Sequence, residues 1–154
     1  MAQCIDHSVT LRRVEDELPF GFQALMQHSQ DEGIKNMSML QENWLSGAER
    51  FNKNGAALFG AFFENELIGL GGTTKEIGYT GSAMRMRRLF VLAHWRRKGV
   101  AGLIARQCMD WGLQSAKILT CNAQASAAAA PFWERMGFEP VSLPRITHIY
   151  SRRC

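Results

Sequence analysis

Apolar and polar positions alternate along this chain with two periods, and each change of period marks an element. Ser8-Val9-Thr10-Leu11-Arg12 has the period of two expected of a short opening strand. Between about residues 19 and 50 the spacing turns helical. Phe22, Leu25, Met26 and Ser29 share one face, Asp31-Glu32-Gly33 interrupts it, and Leu40, Trp44 and Leu45 mark a second short helix. Ala56 to Phe63 is apolar and aromatic, Glu64-Asn65-Glu66 is a polar break, and Leu67 to Thr74 is apolar again, which predicts a hairpin of two buried strands. A polar, glycine-containing stretch from Lys75 to Ser82 follows. Ala83 to Leu92 then interleaves Met84, Met86 and Leu89 with arginines, as in a long strand. Val100, Leu103, Ile104, Cys108 and Trp111 form one stripe of an amphipathic helix. The remaining pattern predicts a strand at Lys117–Cys121, an alanine-rich helix from Ser126 to Met136 ended by Gly137, and strands at Phe138–Val141 and Arg145–Ser151. This order implies a mixed α/β sheet covered by helices on its faces. Without an internal repeat or a dividing linker, one domain over 1–154 is expected.

Composition narrows the class. The chain has 154 residues, 46% hydrophobic and 21% charged, which argues against disorder. No apolar run approaches the ~18 residues of a membrane span, and Met1 to His7 lacks the basic cap and apolar core of a secretory signal. Cys4, Cys108, Cys121 and Cys154 are scattered without a C-x-x-C, which disfavours zinc and dithiol chemistry and suits a reducing cytoplasm. His7, His28 and His148 have no metal-ligand spacing, so no metal is expected. Charge is more informative than the net +4. Residues 1–80 carry six basic and eleven acidic side chains, whereas 81–154 carry twelve basic and three acidic ones. Arg85, Arg87, Arg88, Arg96, Arg97 and Lys98 fall within fourteen residues without an acid, a cluster that calls for an anionic partner.

The most specific segment is Arg96-Arg97-Lys98-Gly99-Val100-Ala101-Gly102, between a predicted strand and a predicted helix. Unpaired amides and the helix dipole at such a start favour phosphate. Gly99 permits close backbone approach, Ala101 and Gly102 add no bulk, and the three cations supply charge-assisted contacts. No P-loop pattern occurs. Gly69-Leu70-Gly71-Gly72 lacks the third glycine and the following helix of a dinucleotide fingerprint, so those glycines are read as structural.

The run Arg88-Leu89-Phe90-Val91-Leu92-Ala93-His94-Trp95-Arg96-Arg97-Lys98-Gly99-Val100-Ala101 resembles the signature of the GNAT superfamily of acetyl-CoA-dependent N-acetyltransferases, a strand ending L-x-V followed by Q/R-x-x-G-x-G/A at a helix start. Ser126 through Phe138, with Ala129 and Pro131-Phe132-Trp133-Glu134-Arg135-Met136-Gly137-Phe138, resembles the family's N-x-x-A-x-x-F-Y-E-x-x-G-F. The resemblance implies a mixed, mostly antiparallel central sheet flanked by helices, with a bulged strand and a V-shaped splay at the acetyl-CoA site. It implies acetyl-CoA as cosubstrate, its pyrophosphate on the amides of Arg97 to Gly102, with Arg96 and Lys98 beside them. The pantetheine would pair with Leu89, Phe90 and Val91, and a backbone N–H near Val91 would serve as oxyanion donor. Ser126 would cap its helix and face the pantetheine, and Phe132 and Trp133 would border the cofactor.

Two family positions differ here. Trp133 stands where the family often has an acidic Tyr, and an indole N–H is no general acid near neutral pH. Cys121 stands where some relatives have a basic Glu, and a small buried hydrophobe is the plainer reading of it. Arg85, Arg87 and Arg88 read equally well as a solvated strand face or as ligand contacts, and no carboxylate shares their strand. The leading expectation is direct acetyl transfer to an amine of a small molecule or peptide. A non-catalytic acyl-CoA-binding module is the alternative. A nucleic-acid-binding domain is disfavoured because no recognition motif accompanies the basic cluster. Homodimerisation stays open, and the acceptor, the acid and the base are not legible.

Overall fold

The structure, a computed structural model, describes residues 8–152; Cys4, His7 and Cys154 lie outside them. Seven strands and four helices follow the predicted order. They are β1 (Val9–Arg13), α1 (Phe22–Asp31), α2 (Asn36–Ser46), β2 (Ala57–Phe63), β3 (Glu66–Lys75), β4 (Ala83–Val91), α3 (Val100–Gly112), β5 (Ile118–Cys121), α4 (Ala129–Arg135), β6 (Glu139–Leu143) and β7 (Ile146–Ser151). A 3₁₀ turn at Ala93–Trp95 joins β4 to the loop before α3. The strands form one sheet in the order β1-β2-β3-β4-β5-β7-β6, antiparallel throughout except where β4 meets β5.

The central strands β2 and β3 are buried on both faces, which explains why they read as continuous apolar runs. Their alternation still sorts two cores. Ala57, Phe59 and Ala61 belong to the core beneath α3, whereas Leu58 and Phe62 pack with Phe22, Leu25, Leu40 and Trp44 of α1 and α2. Trp111 of α3 seats its ring edge on Phe59 at a centroid distance of 5.6 Å. The β3 glycines make room for this packing. A Cβ on Gly71 would lie 2.7 Å from Ile104 Cγ2, and one on Gly72 would lie 2.7 Å from the Ala57 carbonyl and 2.8 Å from the Phe51 ring. Close packing therefore accounts for these glycines.

One expectation needs correction. The helix predicted from Ser126 begins at Ala129, and Ala128 occupies the N-cap position with no side-chain cap. The Ser126 carbonyl accepts from Ala129 N–H at 3.2 Å, so Ser126 closes a turn ahead of the helix. Alanines carry the helical pattern back to 127 by propensity alone, but nothing on them can cap. Pro131 is then in the first turn of α4, where a missing N–H costs no ladder bond.

Candidate active site

β4 and β5 hold the site open. They pair in parallel at only three positions, Ala83–Ile118, Met84–Leu119 and Arg85–Thr120, and β4 then runs on to Val91 with no β5 partner. The sheet thus splays into a V from Arg85 outward. On its other edge β4 stays paired with β3, but the register jumps between Gly72–Arg87 and Leu70–Phe90, so three steps along β4 match two along β3. The extra residue is a β-bulge, with Arg88 in the left-handed region at φ 58°.

Beyond the bulge, hydrogen-bond parity aims the backbone into the gap. Leu92 N–H donates to Ile68 O at 2.9 Å, so the neighbouring Val91–Gly69 pair is of the type that exchanges no bonds. Val91 therefore turns its N–H and C=O away from β3, towards the open side. Arg96 Nε donates to that Val91 carbonyl at 2.9 Å, while its Nη2 reaches Glu32 Oε1 at 2.7 Å. The Leu89 carbonyl accepts from Asn36 Nδ2 at 3.2 Å.

The loop before α3 enters the helix through left-handed backbone. Arg97 and Gly99 both take positive φ, 61° and 87°, and Gly99 is the N-cap. The first ladder bond of α3 runs from Leu103 N–H to Gly99 O at 3.0 Å, which leaves the amides of Val100, Ala101 and Gly102 outside the ladder. Arg97 and Lys98 are exposed, and Lys98 Nζ lies 5.2 Å from the centroid of Trp95.

A cleft of about 1870 Å³ follows the V and continues between β4 and the α1–α2 region. It is bordered by Leu89, Phe90 and Val91, by Arg96, Arg97 and Ala101, and by Ser126, Phe132 and Trp133. Most of the residues singled out from the sequence are thus brought together. Lys98, Gly99, Val100 and Gly102 stand in the adjoining loop and helix start, with Val100 buried in the core beneath α3. Trp133 is 7% exposed, edge-on to Phe132 at 5.1 Å and to Phe138 at 5.0 Å, so it is a core residue whose edge walls the cleft. Cys121 is buried at the mouth of β5, and desolvation pushes its thiol up to about 12 despite the nearby Arg85 charge. It is a poor nucleophile at neutral pH.

Other groups at the cleft carried no pattern in the sequence. Glu76, just past β3, is 6% exposed. Its Oε1 accepts from Thr120 Oγ1 at 2.7 Å and pairs with Arg85 Nη1 at 2.8 Å, and its Oε2 accepts from Gly78 N–H at 2.9 Å. Burial alone would raise its pKa, but the bonds from Thr120, Arg85 and Gly78 and the Arg85 charge outweigh it, so the carboxyl is held below its ordinary value. Glu76 is the carboxylate that the arginine strand itself lacks, delivered from a loop. Asn122, following β5, borders the cleft with a buried Oδ1 that has no partner among the described residues. A buried amide oxygen at the mouth of the V is suited to accept from an amide N–H such as those of pantetheine. With the free amides at α3 and the Val91 N–H facing the gap, the donor set fits a cofactor carrying phosphates, amides and a thioester carbonyl. His148 is engaged elsewhere, its Nε2 with Glu134 Oε2 and its Nδ1 with Thr147 Oγ1, both at 2.8 Å. Among the described residues no group of three or more His, Cys, Asp and Glu could hold a metal, and no helix is long and apolar enough to cross a membrane.

Comparison with known proteins agrees with this geometry. Residues 25–148 match the family model described as an acetyltransferase (GNAT) domain. A candidate acetyltransferase from Exiguobacterium sp. 255-15 superposes with a TM-score of 0.82 at 27% identity, over 93% of each chain. Two more distant structures share the fold. One is a GNAT family acetyltransferase from Elizabethkingia anophelis with acetyl-CoA bound (TM-score 0.63, 13% identity, 96% of this chain and 100% of that one). The other is the Bacillus subtilis N-acetyltransferase YlbP in complex with coenzyme A (TM-score 0.62, 15% identity, 94% and 97%). No curated protein matches the sequence. The match over most of the length, together with the splayed β4–β5 pair, the bulge and the loop at α3, shows that the chain belongs to the GNAT acetyltransferase family.

Proposed function

We propose that this protein is a single-domain N-acetyltransferase that moves the acetyl group of acetyl-CoA directly to an amine. The observation that carries this reading is the unpaired edge of β4 beyond Arg85, which presents the Val91 N–H to the gap directly upstream of the phosphate-binding loop. Leu89, Phe90 and Val91 would hold the pantetheine like an added strand, and Asn122 Oδ1 would accept from one of its amides. The amides from Arg97 to Gly102 would hold the pyrophosphate. The Val91 N–H polarises the thioester carbonyl and stabilises the oxyanion as the amine adds. Arg96 holds the Val91 carbonyl and keeps that peptide oriented.

Proton handling is sparse. Trp133 offers no acid, and Cys121 is too firmly protonated to form an acetyl-enzyme. The departing thiolate is a good leaving group, because free thiols ionise near ~8.5. The carboxylates of the cleft already have partners: Glu32 has Arg96, Glu49 accepts from Phe51 N–H at 2.8 Å, and Glu76 has Arg85 and Thr120. We assign the amine proton to water, with the enzyme contributing mainly orientation and oxyanion stabilisation. The lack of an internal acid also favours a second reading, a non-catalytic acyl-CoA-binding module. Calorimetry with acetyl-CoA, followed by a thiol-release assay over amino acids, polyamines, aminoglycosides and peptide N-termini, separates them. Binding with amine-dependent release of coenzyme A is the expected result. Binding without release from any amine supports the module, and no binding at millimolar acetyl-CoA overturns both.

A further inference from the structure

The acceptor half of the cleft carries two cations that the fold does not neutralise. Arg85, Arg87 and Arg88 all border it, half-buried. Arg85 is paired with Glu76 and also donates to the Arg145 carbonyl at 3.1 Å. Arg87 makes one contact, from Nη1 to the neutral Thr74 Oγ1 at 3.3 Å. Arg88 has no hydrogen bond or ion pair among the described residues. Burial, and then the charges of the neighbouring arginines, depress both guanidinium groups, that of Arg88 to about 10; Glu49 acts on both in the opposite sense, and Glu76 on Arg87. Charge half-withdrawn from water without a partner is costly. The β-bulge concentrates it, because the extra residue re-aims Arg88 instead of continuing the alternation of the strand.

Such an arrangement fits an anion brought by a ligand. The phosphates of the cofactor have their own amides and cations at the start of α3, beyond the far end of β4, so the anion belongs to the acceptor. We propose that the acceptor is an amino acid-like amine whose carboxylate is held by Arg87 and Arg88, leaving its nitrogen free to meet the thioester beside Val91. The planar forks of two arginines suit a carboxylate. In the reaction, the amine nitrogen bonds the acetyl carbon, the C–S bond breaks, and coenzyme A leaves as thiolate. The proton lost by nitrogen passes to solvent, so no further reactant is needed.

This proposal rests on acetyl transfer, and its test separates the two. Initial rates are measured with α-amino acids, the matching carboxamides and aminoalkyl phosphates, for the parent, Arg88→Gln and Arg87→Gln. The expected result is that carboxylates outperform their carboxamides in the parent. Arg88→Gln then raises KM for the carboxylates roughly 10–100-fold, the scale of a lost charge-assisted bond, and leaves the Kd of acetyl-CoA within about twofold. Arg87→Gln acts in the same direction. Equal use of carboxamides, a preference for the phosphates, or weakened acetyl-CoA binding in both variants overturns it. If acetyl-CoA binds but no amine is acetylated, transfer itself fails. Calorimetry of N-acetyl amino acids with the protein loaded with coenzyme A then decides the anion site: binding lost in Arg88→Gln supports it, and no binding overturns it.

Discussion

Glu76 shows how much one side chain can hold. Its Oε1 alone ties the end of β3 to Thr120 of β5 and Arg85 of β4, at the vertex where those strands part, while Oε2 holds Gly78 N–H. Arg85 is only 18% exposed at its side chain, so Glu76→Gln would leave a largely buried cation without its counter-charge. We expect a loss of about 3 kcal/mol, the low end for breaking a buried pair because Gln keeps some of the hydrogen bonds. Urea denaturation at pH 7 measures it. The carboxyl is depressed in the folded state, so its contribution is fully present above the ordinary carboxylate pKa. It is lost as pH falls through the lower folded value, and the difference between parent and Glu76→Gln should shrink on acidification. The sequence held no sign of this role. Glu76 sits in a polar stretch between strands, and its partners lie nine and forty-four positions away.

At the scale of elements, the start of α3 is the feature most legible from the chain. A strand, a glycine-containing basic loop and an amphipathic stripe are all local patterns, and the observed N-cap at Gly99 follows from them. Gly99 itself is a poor position for testing the phosphate site. At φ 87° any side chain strains the backbone, and lost binding could not be separated from misfolding. Ala101 borders the cleft inside the first turn with ordinary helical geometry. Ala101→Glu adds a carboxylate where the helix dipole stabilises it, so folding should be retained. It also puts that charge against the pyrophosphate, and acetyl-CoA affinity measured by calorimetry should fall at least roughly tenfold, about 1.4 kcal/mol. An unchanged affinity would place the phosphates elsewhere. The other helix of the motif was less legible. α4 begins three residues after Ser126, because a run of alanines shows propensity but no boundary.

In the whole molecule, the charge asymmetry of the chain becomes an internal complementarity. Glu32 and Glu76 from the acidic half pair with arginines of the basic half around one cleft, Glu32 with Arg96 and Glu76 with Arg85. The basic cluster is therefore no continuous exposed stripe: Arg87 and Arg88 line the cleft half-buried, Arg85 and Arg96 are paired, and Arg97 and Lys98 are exposed with no ion pair among the described residues. On the proposed route, the amine loses its proton to water before it attacks the thioester. An alkylamine ionises near ~10.4 and is mostly protonated at pH 7. Its kcat/KM should climb from pH 7 towards pH 9 by up to about tenfold per unit, and a profile that levels near pH 7 would reveal an internal base. By itself the sequence determined the order of elements, the two buried hairpin strands, the structural glycines and the basic, glycine-containing loop that opens α3, since each is written in the spacing of neighbouring residues. Tertiary structure alone decided that β4 and β5 part after Arg85, that the bulge falls at Arg88, that Val91 turns its N–H into the gap, and that Glu76 meets Arg85. Those outcomes depend on register and hydrogen-bond parity between strands far apart in the chain, and no local pattern encodes them.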